Sequence, residues 1–168
     1  AVTPGSHSIE RHFRRNVACP PSIRAFLTEN VEHVHSGLPS TAVDAQLFFK
    51  GESESWDPIQ RNYDIERQIY STVMLRLLDL EQTTEEPNVV CIRGVAGAGK
   101  TIFARRLAYD LATKHDRLVL YCRPGVHLRA DPLLDLHQLT GLAVTLVVDQ
   151  AADQLRSLEE LTARLSAA

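Results

Sequence analysis

Eight consecutive residues, Gly94-Val95-Ala96-Gly97-Ala98-Gly99-Lys100-Thr101, satisfy the phosphate-loop pattern GxxxxGK[ST] at every specified position. The chemistry follows from the residue types. Glycines let the backbone curl so that successive N–H groups point inward at phosphate oxygens, where side chains would obstruct and positive φ angles would be penalised. A helix expected to follow the loop adds the positive end of its dipole. Lys100 brings a point charge to the β- and γ-phosphates, and the Thr101 hydroxyl is a ligand for Mg²⁺. The expected ligand is therefore a nucleoside triphosphate, with ATP and Mg²⁺ as the first choice.

Holding the ion's water shell takes a carboxylate. Val144-Thr145-Leu146-Val147-Val148-Asp149 is an apolar run that ends in one, and in open α/β sheets ligands gather at the carboxyl ends of strands. Asp149 is accordingly read as the second magnesium residue beside Thr101; the alternative is a strand-ending aspartate that only forms a turn. Gln150 follows, where many phosphate-loop ATPases carry a catalytic Glu. A glutamine can orient water but cannot take its proton. The catalytic set read from the sequence is Lys100, Asp149 and Gln150, and slow or absent hydrolysis is expected.

The elements that position these residues are read from hydrophobic spacing. Residues 1–21, rich in Pro, Gly, Ser and charge, are expected to be poorly ordered up to Pro20-Pro21. Ile23, Phe26, Leu27, Val31 and Val34 predict one amphipathic helix, capped by Ser22 and ending near Gly37-Leu38-Pro39. Leu47-Phe48-Phe49 closes on a turn at Lys50-Gly51, and Trp56-Asp57-Pro58-Ile59 is a second turn. From Asp64, the residues Ile65, Ile69, Val73, Leu77 and Leu80 predict a long helix. An alternating pattern follows: a buried strand at Val89-Val90-Cys91-Ile92, a helix from Ile102 to His115, and a strand at Leu118–Cys122. A short helix from Pro132 to Leu139, a strand from Leu142 to Val148 and a helix from Asp153 to Leu165 complete it. Such alternation predicts a parallel sheet covered on both faces by helices.

Composition excludes several classes. The chain has 168 residues, long enough for one globular domain, and no apolar run approaches the ~20 residues of a membrane span. A net charge of −3 gives no general attraction to nucleic acid. The local cluster Arg11, Arg14, Arg15 could touch phosphate or an acidic partner, or be a solvated face. Cys19, Cys91 and Cys122 lack metal-site or disulfide spacing; Cys91 and Cys122, inside apolar runs, are expected as buried thiols in a reducing cytoplasm. The start Ala1-Val2-Thr3-Pro4-Gly5 does not resemble a signal peptide and is read as a cut or processed end.

With these residues in place, the chain from about Phe48 onward resembles a STAND-type P-loop NTPase, a class of signalling switches. It is most similar to the novel STAND modules of bacterial conflict and defence proteins. Their upstream signature is matched by Phe49-Lys50-Gly51, Trp56 and Asp64-Ile65-Glu66-Arg67. The resemblance implies an α/β P-loop NTPase three-layer sandwich with a parallel sheet over residues 48–168, preceded by a helical N-terminal segment over 1–47. It implies that Ile65 and Arg67 flank the base or phosphates; the plainer alternative makes Trp56 and Ile65 core and Arg67 an ion-pair partner. The 19 residues after Asp149 suffice for one helix, so the sandwich is expected to be incomplete at its C-terminus. Effector and sensor domains outside this chain, and nucleotide-dependent homo-oligomers, are the implied partners. A regulatory ATP switch leads the functional readings. A small-molecule or nucleotide kinase, with Arg123 and Arg129 after the second strand, and a non-catalytic interaction module are the alternatives.

Lys100→Ala removes the fixed positive side chain aimed at the β- and γ-phosphates, a charge-assisted contact of roughly 1.5–3 kcal/mol. ATP affinity, measured by calorimetry on a folded variant, is expected to fall about tenfold or more; unchanged affinity would remove the phosphate-loop assignment.

Overall fold

Leu118-Val119-Leu120-Tyr121-Cys122 has no polar face to offer water, the pattern of a strand buried on both sides. It is the middle of the sheet. The computed structural model describes Ile9, His12 and residues 19–40, 44–50, 55–83 and 87–167. In chain order the described elements are α1 (Pro21–Glu29), β1 (Val31–Val34), α2 (Ala45–Phe49), α3 (Asp57–Gln60), α4 (Tyr70–Thr83) and α5 (Lys100–Lys114). Then come β2 (Leu118–Cys122), α6 (Ala130–Thr140), β3 (Val144–Val147), a 3-10 turn (Ala151–Gln154) and α7 (Leu155–Ser166).

β2 pairs with β3 in parallel, Leu118 opposite Val144 and Tyr121 opposite Val147, and α6 supplies the crossover that a parallel pair needs. On its other side β2 pairs with β1 in antiparallel fashion, Val31 opposite Cys122 and Val34 opposite Val119. The predicted parallel sheet is thus corrected to a mixed one of three strands in the order β1-β2-β3. Side chains alternate across β2. Leu118, Leu120 and Cys122 join a core with Ile23, Phe26, Leu133, Leu136 and Leu161 from α1, α6 and α7. Val119 and Tyr121 join a second core with Trp56, Met74 and the α5 residues Phe103, Leu107 and Leu111. Helices therefore cover both faces, and the chain is an α/β structure.

Several expected elements differ. The helix predicted from Ser22 to Gly37 ends at Glu29, and Val31–Val34 becomes β1. Pro20 occupies the cap position, with Pro21 at the first turn. Proline's fixed φ suits that place, so Ser22 is not the cap. The 3.6-residue spacing of the apolar residues runs on by coincidence into a strand that β2 can pair. Leu47-Phe48-Phe49 is a helix, its start capped by Asp44 Oδ1 accepting from Gln46 N–H at 2.9 Å; Gly51 lies outside the described residues. Trp56-Asp57-Pro58-Ile59 leads into the one-turn α3. The long helix begins at Tyr70 instead of Asp64, leaving Ile65 and Ile69 outside it and exposed. Of the stretch expected to be poorly ordered, Ile9 and Cys19 are buried in the first core. Arg11, Arg14 and Arg15 lie outside the described residues.

The largest correction concerns Val89–Ile92. This run forms no strand; Val89 is 74% exposed, Val90 39% and Ile92 37%, and Cys91 is an exposed free thiol, unlike the buried Cys122. β-Branched residues favour an extended backbone, but a strand exists only where a neighbour takes its N–H and C=O groups. Among the described residues no strand runs beside 89–92. No described helix is long and apolar enough to cross a membrane.

Leu120 is fully buried, so Leu120→Ala is expected to cost about 2–5 kcal/mol. Val89→Ala, in the exposed run, is expected to change stability by no more than about 0.5 kcal/mol. Urea unfolding of the two variants checks the contrast, and comparable losses would place Val89 in the core after all.

Candidate nucleotide-binding cleft

The glycine loop lies directly before α5 because two of its residues adopt a backbone that other residues resist. Gly97 has φ +74° and Gly99 φ +70°, and Gly99 is the cap residue of α5. A side chain at Gly97 would meet open space, whereas one at Gly99 would collide with the Arg67 guanidinium. The loop is closed by Ala98 N–H donating to Val95 O at 3.2 Å, and Phe103 N–H donates to Gly99 O at 3.0 Å. The Lys100 ammonium arches back over the loop and donates to Val95 O at 3.0 Å.

Beside the loop is a cleft of about 1350 Å³ whose walls include Ile65, Arg67, Gly99, Thr101, Asp149 and Gln150. Six residues singled out from distant parts of the sequence thus share one cavity. Gly94 through Ala98 and Lys100 form the adjoining loop and do not line it. Asp149 sits just beyond β3. Its Oδ1 accepts from Gln150 N–H at 2.9 Å and its Oδ2 lies 3.4 Å from the Tyr121 hydroxyl, which donates to it. Gln150 has a left-handed backbone, φ +53°, at the entry to the 3-10 turn. Ile65 is 82% exposed, so it is not a core residue. Arg67 places its guanidinium 6.0 Å from the centre of the Phe103 ring, next to Gly99.

What holds the Asp64–Arg67 stretch against α5 is a buried charge cluster. Arg106 Nε donates to Asp64 Oδ2 at 2.9 Å, and Nη2 bonds Asp64 Oδ1 as well. Its Nη1 donates to Asp110 Oδ1 at 3.2 Å and its Nη2 to Ile59 O at 2.5 Å. Asp110 Oδ2 accepts in addition from Tyr70 Oη at 2.5 Å and Lys114 Nζ at 2.9 Å. Burial works against the Arg106 charge, but the Asp64 and Asp110 carboxylates outweigh it and hold its pKa above the ordinary value. Burial and the Asp110 carboxylate push the Tyr70 phenol well above its usual range.

Sequence reasoning missed Arg106, Asp110 and Tyr70. A signal was present: Arg106 and Asp110 are four apart and fall beside Phe103, Leu107 and Leu111 on the inward stripe of α5. A charged pair inside an apolar stripe needs partners from elsewhere. Asp64 is that partner, which gives a physical reason for the aspartate at the head of the Asp-Ile-x-Arg signature.

The residues present fit a magnesium nucleotide on two counts. Gly97 faces open space, Gly99 has the Arg67 guanidinium beside it, and the first amides of α5 have no intrahelical acceptor. Thr101 and Asp149 bring two hard oxygen donors to one cleft, the kind of partial protein shell that phosphate-borne Mg²⁺ uses.

The α/β chain thus carries a glycine-rich loop at the head of a helix, with Gly99, Thr101 and the strand-end Asp149 on the walls of one cleft. The model of one family, Novel STAND NTPase 5, matches residues 46–168. The chain belongs to that family, and with it to the STAND-type NTPase modules, whose domain is nucleotide-binding. Comparison with curated proteins and with solved structures gives no match.

Asp64→Ala would leave Arg106, which is 9% exposed, with half of its carboxylate partners. Breaking a buried pair typically costs about 3–5 kcal/mol, and with Asp110 retained a loss near the lower end, about 3 kcal/mol, is expected in urea unfolding. A loss under about 0.5 kcal/mol would mean that the cluster does not organise this side of the cleft.

Proposed function

We propose that this chain binds ATP with Mg²⁺ at the glycine loop and adjoining cleft, and that it serves as a regulatory signalling switch with slow or no hydrolysis. The observation that carries the reading is the meeting of Thr101, Asp149, Gln150, Ile65 and Arg67 on the walls of one cleft beside the loop. Lys100, held by the neutral Val95 carbonyl, exchanges that acceptor for β- and γ-phosphate oxygens, a stronger charge-assisted contact. Gly94 to Thr101 would supply amides to the phosphates, and Thr101 and Asp149 would hold the metal. Bound Mg²⁺ would neutralise phosphate charge. Arg67, beside Gly99, pairs with the phosphates, and the exposed Ile65 packs against the base.

Slow turnover is read from Gln150 standing next to Asp149; of the acids on the cleft walls, Glu66 and Asp153 remain as candidate bases, and the others are occupied. Asp64 and Asp110 are committed to Arg106, and Glu32 accepts a hydrogen bond from Trp56 Nε1 at 2.7 Å. Asp149 is reserved for the metal, and Gln150 orients water without taking its proton. In this reading residues 48–168 are the nucleotide module and residues 1–47 its N-terminal segment. Effector and sensor domains lie outside the chain, the protein works in the cytoplasm in defence signalling, and bound nucleotide controls assembly.

Two measurements test the proposal. Asp149→Ala is expected to lower ATP affinity about tenfold in Mg²⁺ and far less in EDTA; equal losses would reduce Asp149 to a turn residue. Hydrolysis of labelled ATP is expected to be very slow, and Gln150→Glu is expected to raise it. Several turnovers per second from the unaltered chain, abolished by Lys100→Ala, would overturn the switch.

A further inference from the structure

One row of side chains on the α5 face of the sheet is not accounted for by the site as described. Glu32 of β1 stands opposite Tyr121 of β2, Tyr121 stands opposite Val147 of β3, and Asp149 follows two residues later. Directly opposite residues share a face of the sheet. Into this row projects Arg105, four residues after Thr101. A helical side chain leans toward the helix N-terminus, and Arg105 lines the same cleft as Thr101. Its guanidinium lies 5.5 Å from the centre of the Tyr121 ring and 5.8 Å from that of Trp56. The two rings meet edge to face, with centroids 5.3 Å apart at 86°.

Two further facts give the row a direction. The Tyr121 hydroxyl points to Asp149 Oδ2 at 3.4 Å, the free side of a carboxylate whose other oxygen is tied to Gln150 N–H. Arg105 Nε is buried with no hydrogen-bond partner, and the guanidinium lies against both rings. The geometry points to Tyr121 and Arg105 as positioning residues for the metal carboxylate: Arg105, lying against both the Trp56 and Tyr121 rings, fixes the Tyr121 ring so that its hydroxyl sets the orientation of Asp149 toward Mg²⁺. Outer hydrogen bonds to metal carboxylates orient the ligand, and losing one typically costs about 10–100-fold in metal affinity. Trp56, the chain's single tryptophan and 6% exposed, becomes a reporter of the metal corner.

The inference rests on the ATP–Mg²⁺ reading above, and the test separates the two. ATP affinity is measured by calorimetry in Mg²⁺ and in EDTA for the unaltered chain, Tyr121→Phe and Arg105→Lys. Tryptophan emission is followed as Mg²⁺ is added to each ATP complex. Tyr121→Phe keeps the ring and loses only the hydroxyl. Arg105→Lys keeps the charge but not the planar guanidinium. In both, the gain in ATP affinity on adding Mg²⁺ is expected to shrink, about tenfold for Tyr121→Phe, and affinity in EDTA to be retained. The Mg²⁺-dependent change in Trp56 emission is expected to weaken with it. If the unaltered chain gains no affinity from Mg²⁺, the nucleotide proposal itself fails. If it does gain, and both variants gain equally, Tyr121 and Arg105 are only packing residues and the inference is overturned. Should Tyr121→Phe lose its native circular dichroism, Arg105→Lys decides alone.

Discussion

A guanidinium cannot be taken from water without partners for its donors, and Arg106 finds them in three separate places: Asp64, Asp110 and the Ile59 carbonyl. Asp110 lies on the same helix, one turn on. Asp64 and Ile59 lie over 40 residues earlier. Because the fork of N–H groups is rigid and planar, satisfying it fixes where the 59–70 stretch lies against α5. The glycine loop, Lys100 and Thr101 are at the head of that helix, while Ile65 and Arg67 are on the stretch that Asp64 anchors. One buried cation therefore sets the spacing between the two halves of the cleft. The loop's other support is slight, since the residues leading into it, Val89–Ile92, are exposed and pair with no described strand.

The third wall comes from the sheet. β2 and β3 run parallel, so their carboxyl ends emerge side by side, bringing Tyr121 and Asp149 within 3.4 Å. Charge on the walls is mixed: Arg67 and Arg105 lie on the helix side together with Asp64, Glu66 and Asp110, and Asp149 lies at the end of β3 with Arg123 just after β2. The two sides share the core of Val119, Tyr121, Trp56, Phe103 and Leu107, so packing against β2 ties the helix position to the strand position.

Much of this was legible in the sequence. The glycine loop's place before a helix, that helix, both parallel strands and the strand-ending Asp149 were read from pattern alone, because each is specified locally by glycine placement or by a continuous apolar run. Longer-range balances were not. Val89–Ile92 carries the residues of a strand, but whether a strand forms depends on a neighbour that no local pattern encodes. Val31 and Val34 fitted a helical period as well as a strand, and the open edge of β2 decided. Ile65 and Ile69 also fitted a helical face, yet they lie outside the helix in a stretch whose Asp64 is bound to Arg106. Arg106 and Asp110 were readable as charges on an apolar stripe, but their partners were not, since the pairing spans the chain. The site's residue types could be named from the sequence, whereas the interactions that bring them together are tertiary.

The antiparallel partner of β2 has a practical side. The family match begins at residue 46, but β1 lies at Val31–Val34 and covers one edge of the most buried strand in the molecule. A nucleotide module excised at the family boundary would be missing a third of its sheet. Backbone groups of β2 that now bond to β1 would face solvent, along a strand whose side chains are apolar on both faces, the combination that templates association with other chains. Ile23, Phe26 and Leu27 would leave the first core in the same cut. The unit that folds is therefore longer at its N-terminal side than the unit that family likeness delimits, and fragments for expression or transplantation are better begun ahead of the Pro20-Pro21 pair.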